Sequence, residues 1–235
     1  MILKTLQQYK SYAEEQGLIV YAIMLKGSQN YNLADSESDI DANLIFIPTL
    51  SQLRSGESFK YTFDTGEVTC HNIYKFAEIA SKGNPQWIEV CHTEYHLGES
   101  LDMFKHLQVN PSALKGMVME KVVAFDKLYP SREVYVTKYG YDPKQLHHII
   151  RLYDSLVSGD PIHKYYGEER DYMLAIKRGS ILSKEEAFTL RDKYVTKLAS
   201  IYEQKKLEYT PQTVDVSSLD SIVLKHLCKS HTKAI

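Results

Sequence analysis

The sequence predicts an α/β fold, in which a sheet-containing domain over residues 1–98 is followed by an all-helical domain over residues 99–235. Three observations favour this fold class. Patterns typical of buried strands occur only in the first part, helical periodicity fills the second part, and the composition is that of an ordinary folded chain. The 235 residues are 43% hydrophobic and 25% charged, which excludes collagen-like, low-complexity and wholly disordered chains.

The N-terminal part alternates helix and strand patterns. Apolar residues with helical spacing predict a helix over residues 1–16, and Gly17 stands where such a helix would end. A continuous apolar run over residues 18–25, rich in β-branched and aromatic side chains, predicts a buried strand. Two further strands are predicted over residues 40–48 and 67–73, because each has apolar or alternating side chains.

Most of the remaining chain has helical periodicity. A helix is predicted over residues 73–81, and the Gly83-Asn84-Pro85 break follows it. Beyond Gly98, helices are predicted over residues 112–128, 143–157, 168–177, 184–206 and 217–229, with breaks at Gly140, Gly159 and Gly179. The second domain is therefore expected to contain helices alone.

Charge, cysteine usage and hydropathy restrict the function classes. The formal net charge is −2, so the field of the whole molecule does not favour a protein that coats nucleic acid. Cys70, Cys91 and Cys228 form neither a disulfide framework nor a CxxC zinc site, and we expect all three to be core thiols in a reducing compartment. The longest apolar run is too short for a bilayer and no secretory pattern is present, so we expect a cytoplasmic protein without membrane association.

The most informative segment begins where the first predicted strand ends. A Gly27-Ser28 turn that leads from a strand into a short helix offers backbone N–H groups and a hydroxyl to a phosphate. Asp39 and Asp41 follow at the start of the next strand, where residues i and i+2 point to the same face. Two neighbouring carboxylates repel each other unless a cation lies between them, and Mg²⁺ favours oxygen ligands together with substrate phosphates. The pattern favours phosphoryl or nucleotidyl transfer.

This segment resembles the nucleotidyltransferase superfamily typified by DNA polymerase beta, in which Gly-Ser is followed, one short loop later, by Asp-x-Asp. It is most similar to a branch of predicted bacterial and phage nucleotidyltransferases whose motif reads G-S-x-x-Y-G-L and then S-D-x-D. Tyr31, Leu33 and Ser38 also match this motif, whereas Asn32 replaces the glycine before the leucine. Asparagine tolerates a left-handed backbone better than most residues, so the departure is mild.

The resemblance implies a small mixed-sheet nucleotidyltransferase domain whose nucleotide site is closed by the helical domain. It also implies that Asp39 and Asp41 hold Mg²⁺ or Mn²⁺ and that a third carboxylate lies on a neighbouring strand. Glu67 and Asp64 are the candidates, and Glu67 is preferred because its spacing to the following helix and Asn-Pro turn matches the branch. The branch usually has aspartate there, and the alternative for Glu67 is an exposed strand residue without a catalytic role.

A second resemblance lies in the helical part. Lys144, His148 and Arg151 match the K-x-x-x-H-x-x-R helix of the same branch. Residues with this spacing share one face of a helix, so they would form a cationic stripe that can bind a triphosphate. The alternative is a solvated helix face with a partly buried histidine. His147 is predicted to point away from the stripe and to be a structural or peripheral residue.

The resemblance implies a Mg²⁺-dependent enzyme that transfers a nucleoside monophosphate from a nucleoside triphosphate to a hydroxyl acceptor and releases pyrophosphate. Gly27 and Ser28 would bind the terminal phosphates, while Asp39, Asp41 and Glu67 would be the catalytic carboxylates. The acceptor stays open among an RNA or tRNA end, a protein and a small molecule. The competing hypotheses are a catalytically inactive nucleotide-binding regulatory or toxin–antitoxin protein of the same fold, and a structural α/β protein.

Overall fold

A computed structural model of the chain describes residues 1–36, 38–55, 58–128, 130 and 133–232, with the backbone alone at residues 50, 54, 55 and 229–232. The predicted α/β class is confirmed, because a mixed sheet in the first part of the chain is followed by a helical part. No helix within the described ranges is both long and apolar enough to cross a bilayer. The described strands are β1 Ile19–Lys26, β2 Asp41–Ile47, β3 Phe59–Phe63, β4 Gly66–Asn72 and β5 His96–Gly98.

Helices surround the strands and then make up most of the chain. Those that precede or alternate with the strands are α1 Ile2–Glu15, α2 Leu50–Ser55, α3 Ile73–Ser81 and α4 Pro85–His92. Those that follow are α5 Pro111–Ala124, α6 Glu133–Tyr139, α7 Pro143–Ser158, α8 Gly167–Arg178, α9 Lys184–Glu208 and α10 Val216–Thr232. Two short 3-10 turns lie at Ser28–Tyr31 and Asp102–Phe104.

The five strands form one mixed sheet in the order β3-β4-β2-β1-β5. β2 and β4 are parallel, and the other neighbouring strands are antiparallel. Lys26 of β1 lies opposite Asp41 of β2, and Ala42 lies beside Val68 of β4. Because these two strands are parallel, the residue before Val68, Glu67, lies beside the residue before Ala42, Asp41. Three charged residues from three adjacent strands thus meet at one end of the sheet.

Different helices pack against the two faces of the sheet. On one face, α1 packs against buried strand residues such as Ala42 and Val68. Successive strand residues point to opposite faces, so Asp41 and Glu67 lie on the other face. That face is covered in part by α3 and α4, which contact β1, β2 and β4. The charged end of the sheet therefore belongs to the face that carries α3 and α4.

The chain separates into two compact units. The sheet unit contains residues 1–30, 34–108 and 211–235, and the helical unit contains residues 31–33 and 109–210. This division differs from the predicted boundary at residue 98, above all because α10 belongs to the sheet unit. Its contacts explain why, since the Tyr74 hydroxyl of α3 donates to Asp220 of α10 at 2.7 Å. Residues 31–33 also leave the predicted first domain.

Several elements are absent from the sequence prediction. The predicted helix over 73–81 is confirmed as α3, and the Asn72 side chain caps it by accepting the Lys75 N–H at 2.8 Å. The Asn84-Pro85 pair breaks the chain as predicted, but it also starts α4, with Asn84 as cap and Pro85 at the first helical position. The patterns predict none of α2, α4, α6, β3 and β5.

The cysteines agree with the prediction in two of three cases. Cys70 and Cys91 are buried, whereas Cys228 is exposed, so the prediction of a core thiol is wrong for Cys228. Leu219 and Val223 form the buried stripe of α10, and Cys228 lies five residues beyond Val223, on a different side of the helix. Burial raises the pKa of the Cys70 and Cys91 thiols to about 12, so neither is a thiolate near neutral pH.

Candidate functional site

The Gly-Ser turn at the end of β1 is held by a buried asparagine. Gly27 has φ +90°, which side chains of L-residues rarely adopt, and its carbonyl oxygen accepts the Asn30 N–H at 3.1 Å. The Asn30 side chain donates to the carbonyl oxygen of Leu25 at 3.0 Å and accepts from the Thr93 hydroxyl at 2.7 Å. Gly27 is exposed and Ser28 is half-buried. The hydrogen bonds of Asn30 therefore hold the turn in place, and its backbone is accessible to solvent at Gly27.

The two aspartates flank a residue that is fixed on both sides. The Ile40 N–H donates to the carbonyl oxygen of Thr65 at 2.8 Å, and the Ile40 carbonyl oxygen accepts from the Tyr9 hydroxyl at 3.1 Å. The Ile40 side chain belongs to the core on the α1 face, while Asp39 is exposed and Asp41 is half-buried. Alternation along an extended backbone puts both carboxylates on the side opposite to Ile40.

The turn between β3 and β4 approaches this segment closely. Gly66 has φ +148°, and a Cβ at this position would lie 2.5 Å from the carbonyl oxygen of Ile40. Real Cβ atoms do not approach so closely, so any other residue would displace the backbone between the aspartates. The absence of a side chain at Gly66 is therefore part of what positions Asp39 and Asp41.

Glu67 lies beside Asp41, and its carboxylate is bound by two lysines. The Glu67 N–H donates to Asp41 Oδ1 at 3.0 Å. The Glu67 carboxylate forms ion pairs with Lys26, at 3.2 Å, and with Lys60. The hydrogen bond from Lys60 lowers the pKa of Glu67 most, and Lys26 adds to this effect against the opposing influence of partial burial. Glu67 is thus an ionised carboxylate whose charge is already compensated.

The carboxylates fit a divalent cation in part. Among the described residues, Asp39 makes no hydrogen bond or ion pair, and Asp41 uses one carboxylate oxygen for the Glu67 N–H. Two such side chains, completed by substrate phosphates and water, suit Mg²⁺. No three His, Cys, Asp or Glu side chains of the described ranges are arranged to hold a metal ion. Glu67 faces its lysines, and Asp64, the alternative third ligand, is exposed in the β3–β4 turn.

The second predicted group of residues lies on α7 of the helical unit. This helix begins at Asp142, whose fully buried carboxylate accepts the Lys144 N–H at 3.0 Å. Lys144 itself is exposed, His148 is half-buried, and Arg151 is only 7% exposed. The helix face that carries the three predicted phosphate-binding residues is thus exposed at Lys144 and buried at Arg151, so the alternative of a fully solvated face is wrong.

The histidines of α7 differ from the prediction. Burial above all, with His147 and Arg151 adding to it, keeps the pKa of His148 well below its ordinary value, so His148 is neutral rather than cationic. Burial, with Arg151, Lys177 and Lys144 nearby, lowers the pKa of His147 to about 3. His147 follows Lys144 by three residues and precedes Arg151 by four, so it shares their face rather than pointing away. The spacing of three residues from Lys144 and four residues to Arg151 could have shown from the sequence that His147 lies on this helix face.

Residues 31–33, which lie between the Gly-Ser turn and the aspartates in sequence, belong to the helical unit. The Arg151 guanidinium carbon lies 4.0 Å from the centroid of the Tyr31 ring. Each of the three carbonyl oxygens accepts a hydrogen bond: Tyr31 from the Tyr165 N–H at 3.1 Å, Asn32 from Arg170 Nε at 2.7 Å, and Leu33 from Lys177 Nζ at 3.2 Å. Two motif segments that are distant in sequence thus contact each other.

Asn32 adopts the left-handed conformation that its place in the motif suggests. Its φ is +59°, and its side-chain Nδ2 donates to the carbonyl oxygen of Tyr165 at 2.9 Å. The expectation that asparagine tolerates this backbone is confirmed. The side chain also adds a hydrogen bond that a glycine could not make.

No protein-family model matches this chain, and no curated protein matches it either. The resemblance based on the Gly-Ser and Asp-x-Asp motifs therefore stays a prediction. The functional argument depends on the geometry and chemistry of the side chains described above.

Proposed function

We propose that this chain is a Mg²⁺-dependent nucleotidyltransferase that transfers a nucleoside monophosphate from a nucleoside triphosphate to a hydroxyl acceptor. One observation carries the proposal. The Gly27-Ser28 turn follows β1 directly, Asp41 begins β2 with Asp39 two residues before it, and the register brings the end of β1 opposite the start of β2. A phosphate-binding turn beside carboxylates that suit a divalent cation is what transfer of a phosphoryl group requires.

Each residue of this site has a defined role in the proposal. Asp39 and Asp41 hold Mg²⁺ together with the triphosphate, and the bound ion supplies compensation of phosphate charge and a lowered pKa for the acceptor hydroxyl. The Gly27 N–H and the Ser28 hydroxyl bind the terminal phosphates. The acceptor hydroxyl gives up its proton to water and its oxygen forms a bond to the α-phosphorus, while the bond from that phosphorus to the bridging oxygen breaks and pyrophosphate leaves. No side chain of the protein becomes covalently modified.

Glu67 has a supporting position in this scheme. Its backbone N–H fixes one carboxylate oxygen of Asp41, which leaves the other oxygen available to a cation. Its own carboxylate could join the aspartates only by exchanging its ion pairs with Lys26 and Lys60 for a metal. Its role as a third metal ligand therefore stays a prediction.

The lysine pair favours a second candidate function, a catalytically inactive nucleotide-binding regulatory or toxin–antitoxin protein of the same fold. Lys26 and Lys60 put positive charge where the resemblance expects a third carboxylate ligand to be available. A carboxylate held in these ion pairs does not serve as the third metal ligand, and a site without that ligand fits nucleotide binding better than transfer. The two candidates therefore differ in their need for the metal and in the transfer of label.

The test is incubation of the full chain with each α-³²P nucleoside triphosphate and Mg²⁺, with and without total RNA. Asp41→Asn removes one proposed metal ligand, and Glu99→Gln is the matched control, because it removes an exposed carboxylate of the same unit that has no proposed role in the site. We expect the wild type and Glu99→Gln to transfer label, and Asp41→Asn to lose at least about a hundredfold in rate. The labelled species, whether RNA, protein or a small molecule, identifies the acceptor.

Two results would contradict the proposal. Label transfer that Asp41→Asn retains would show that the carboxylate pair is not the metal site. Binding of nucleoside triphosphates with equal affinity in Mg²⁺ and in EDTA, without transfer under any condition, would instead support the inactive binding protein.

A further inference from the structure

The helical unit contains a buried histidine without a hydrogen-bonding partner. His147 is 2% exposed, and neither of its ring nitrogens makes a hydrogen bond with any residue that the structure describes. A neutral imidazole has one donor and one acceptor, and buried polar atoms of this kind usually have a partner. Both ring nitrogens of His147 can therefore still form a hydrogen bond with a ligand or a water molecule.

The electrostatic surroundings of His147 favour an anion as that partner. Arg151 lies one turn after His147 on α7, and Lys144 lies one turn before it. Lys177 contributes from α8, a helix that packs against α7. Every charged residue of the described chain that shifts the pKa of His147 is one of these three cations.

Contacts that do not depend on titration also bring two of these cations together. The Arg151 guanidinium carbon lies 4.0 Å from the centroid of the Tyr31 ring. Lys177 Nζ lies 3.2 Å from the carbonyl oxygen of Leu33, two residues further along the same short segment. Cationic groups from α7 and α8 thus converge on residues 31–33, and His147 shares the α7 face with Arg151.

We infer that His147, Arg151 and Lys177 form a binding site for a phosphate-class oxyanion within the helical unit, and that this site needs no divalent cation. A guanidinium binds phosphate oxygens in pairs, an ammonium group adds a compact charge, and an imidazole N–H donates to a further oxygen. The choice of the phosphate class rests on the proposed function, in which a polyphosphate is the charged part of the substrate. The lack of a partner for His147 and the surrounding positive charge do not depend on that function.

The first test is calorimetric titration of the full chain with sodium tripolyphosphate in EDTA. We expect the wild type to bind it at one site. Lys177→Gln keeps a donor near Leu33 but removes the charge, and it should weaken binding by at least about tenfold. The matched control is Arg178→Gln, which removes the neighbouring exposed cation of α8 and should change the affinity by less than about twofold. Lys177→Arg should restore most of the affinity.

The second test observes His147 itself. Nuclear magnetic resonance of the histidine ring nitrogens would follow His147 while tripolyphosphate is added. We expect its ring signals to shift in the wild type and in Arg178→Gln, and to stay in place in Lys177→Gln. A histidine with a purely structural role would show no shift in any of these proteins, and this result would overturn the inference.

The failure of this inference can be distinguished from the failure of the proposed function. Tripolyphosphate binding in EDTA that is equal in the wild type and Asp41→Asn, and that depends on Lys177, supports the anion site even when no nucleotidyl transfer is found. Nucleotidyl transfer without such binding, or binding that Lys177→Gln leaves unchanged, overturns the anion site alone. Equally tight binding of citrate would overturn the assignment to phosphates.

Discussion

Asn32 has a backbone conformation that few side chains tolerate and a hydrogen bond that few side chains can make. Its φ is +59°, and its amide donates to Tyr165 at 2.9 Å. Asn32→Ala keeps the strained backbone and loses the hydrogen bond, so we expect the free energy of unfolding to fall by about 2 kcal/mol. Asn32→Gly also loses the hydrogen bond but relieves the strain, so it should cost about half as much. Urea unfolding of the three proteins measures both values.

Equal losses of stability in the two Asn32 variants would contradict this account, because they would mean that backbone strain contributes nothing. The same measurement on Gly159→Ala provides a reference for strain alone. Gly159 has φ +71°, and a Cβ there would have no neighbouring atom within 4 Å.

Single residues also show where sequence patterns succeed and where they fail. Gly27, Ser28, Asp39 and Asp41 lie close together in the sequence, so the sequence alone is enough to predict that they belong to one site. The two lysines that bind the Glu67 carboxylate come from β1 and β3, and this arrangement depends on the register of three strands. Such partners cannot be predicted from local spacing, because register is set by the packing of the whole sheet.

Among the structural elements, the β3–β4 turn lies close to the backbone between the two aspartates. A Cβ at Gly66 would lie 2.5 Å from the Ile40 carbonyl oxygen, and a backbone carbonyl cannot rotate away as a flexible side chain can. Gly17→Ala is the matched control in the same unit, because Gly17 also has positive φ, +85°, but open space around it. We expect Gly66→Ala to be less stable than Gly17→Ala by about 1–3 kcal/mol, measured by urea unfolding.

The Gly66 variant also tests the geometry of the site. Displacement of Ile40 moves the carboxylates on either side of it, so any transfer of label by the wild type should fall in Gly66→Ala and persist in Gly17→Ala. Similar stability and similar activity in the two variants would show that the turn does not position the aspartates.

The elements that the sequence predicts well are those with a strong apolar pattern. Three strands are predicted to within one or two residues, because β1, β2 and β4 are interior strands of the sheet and their side chains form apolar or alternating runs. β3 and β5 are the edge strands, with five and three residues, and neither has a fully buried residue. Such short and half-exposed segments carry little apolar pattern, so the sequence does not distinguish them from loops.

For the whole molecule, three buried or partly buried histidines make stability depend on pH. Burial is the largest cause that lowers the pKa of His71, His147 and His148. Each of these side chains binds a proton less readily in the folded chain than in the unfolded chain, where protonation sets in as the pH falls below about 6.5. The unfolded state then binds more protons, so stability falls with falling pH by up to about 1.4 kcal/mol per pH unit for each histidine.

The measurement is urea unfolding at several pH values between about 7 and 5, where most carboxylates stay ionised. We expect the free energy of unfolding to decrease steadily over this range in the wild type. His148→Gln should reduce the slope, because it removes one of the three histidines whose pKa is lowered by burial. A stability that is constant between about pH 7 and 5 would contradict the assignment of neutral histidines.

The division of the chain into two units determines the order in which their residues become available during translation. The sheet unit holds the first 30 residues and also residues 211–235, with the helical unit encoded between them. Its three central strands emerge early, yet α10, whose Asp220 accepts from Tyr74, emerges only after the whole helical unit has been synthesised. Domains commonly fold as units from the N-terminus during synthesis. In this chain the N-terminal unit is the last to obtain all of its residues, so its completion follows translation of residues 109–210.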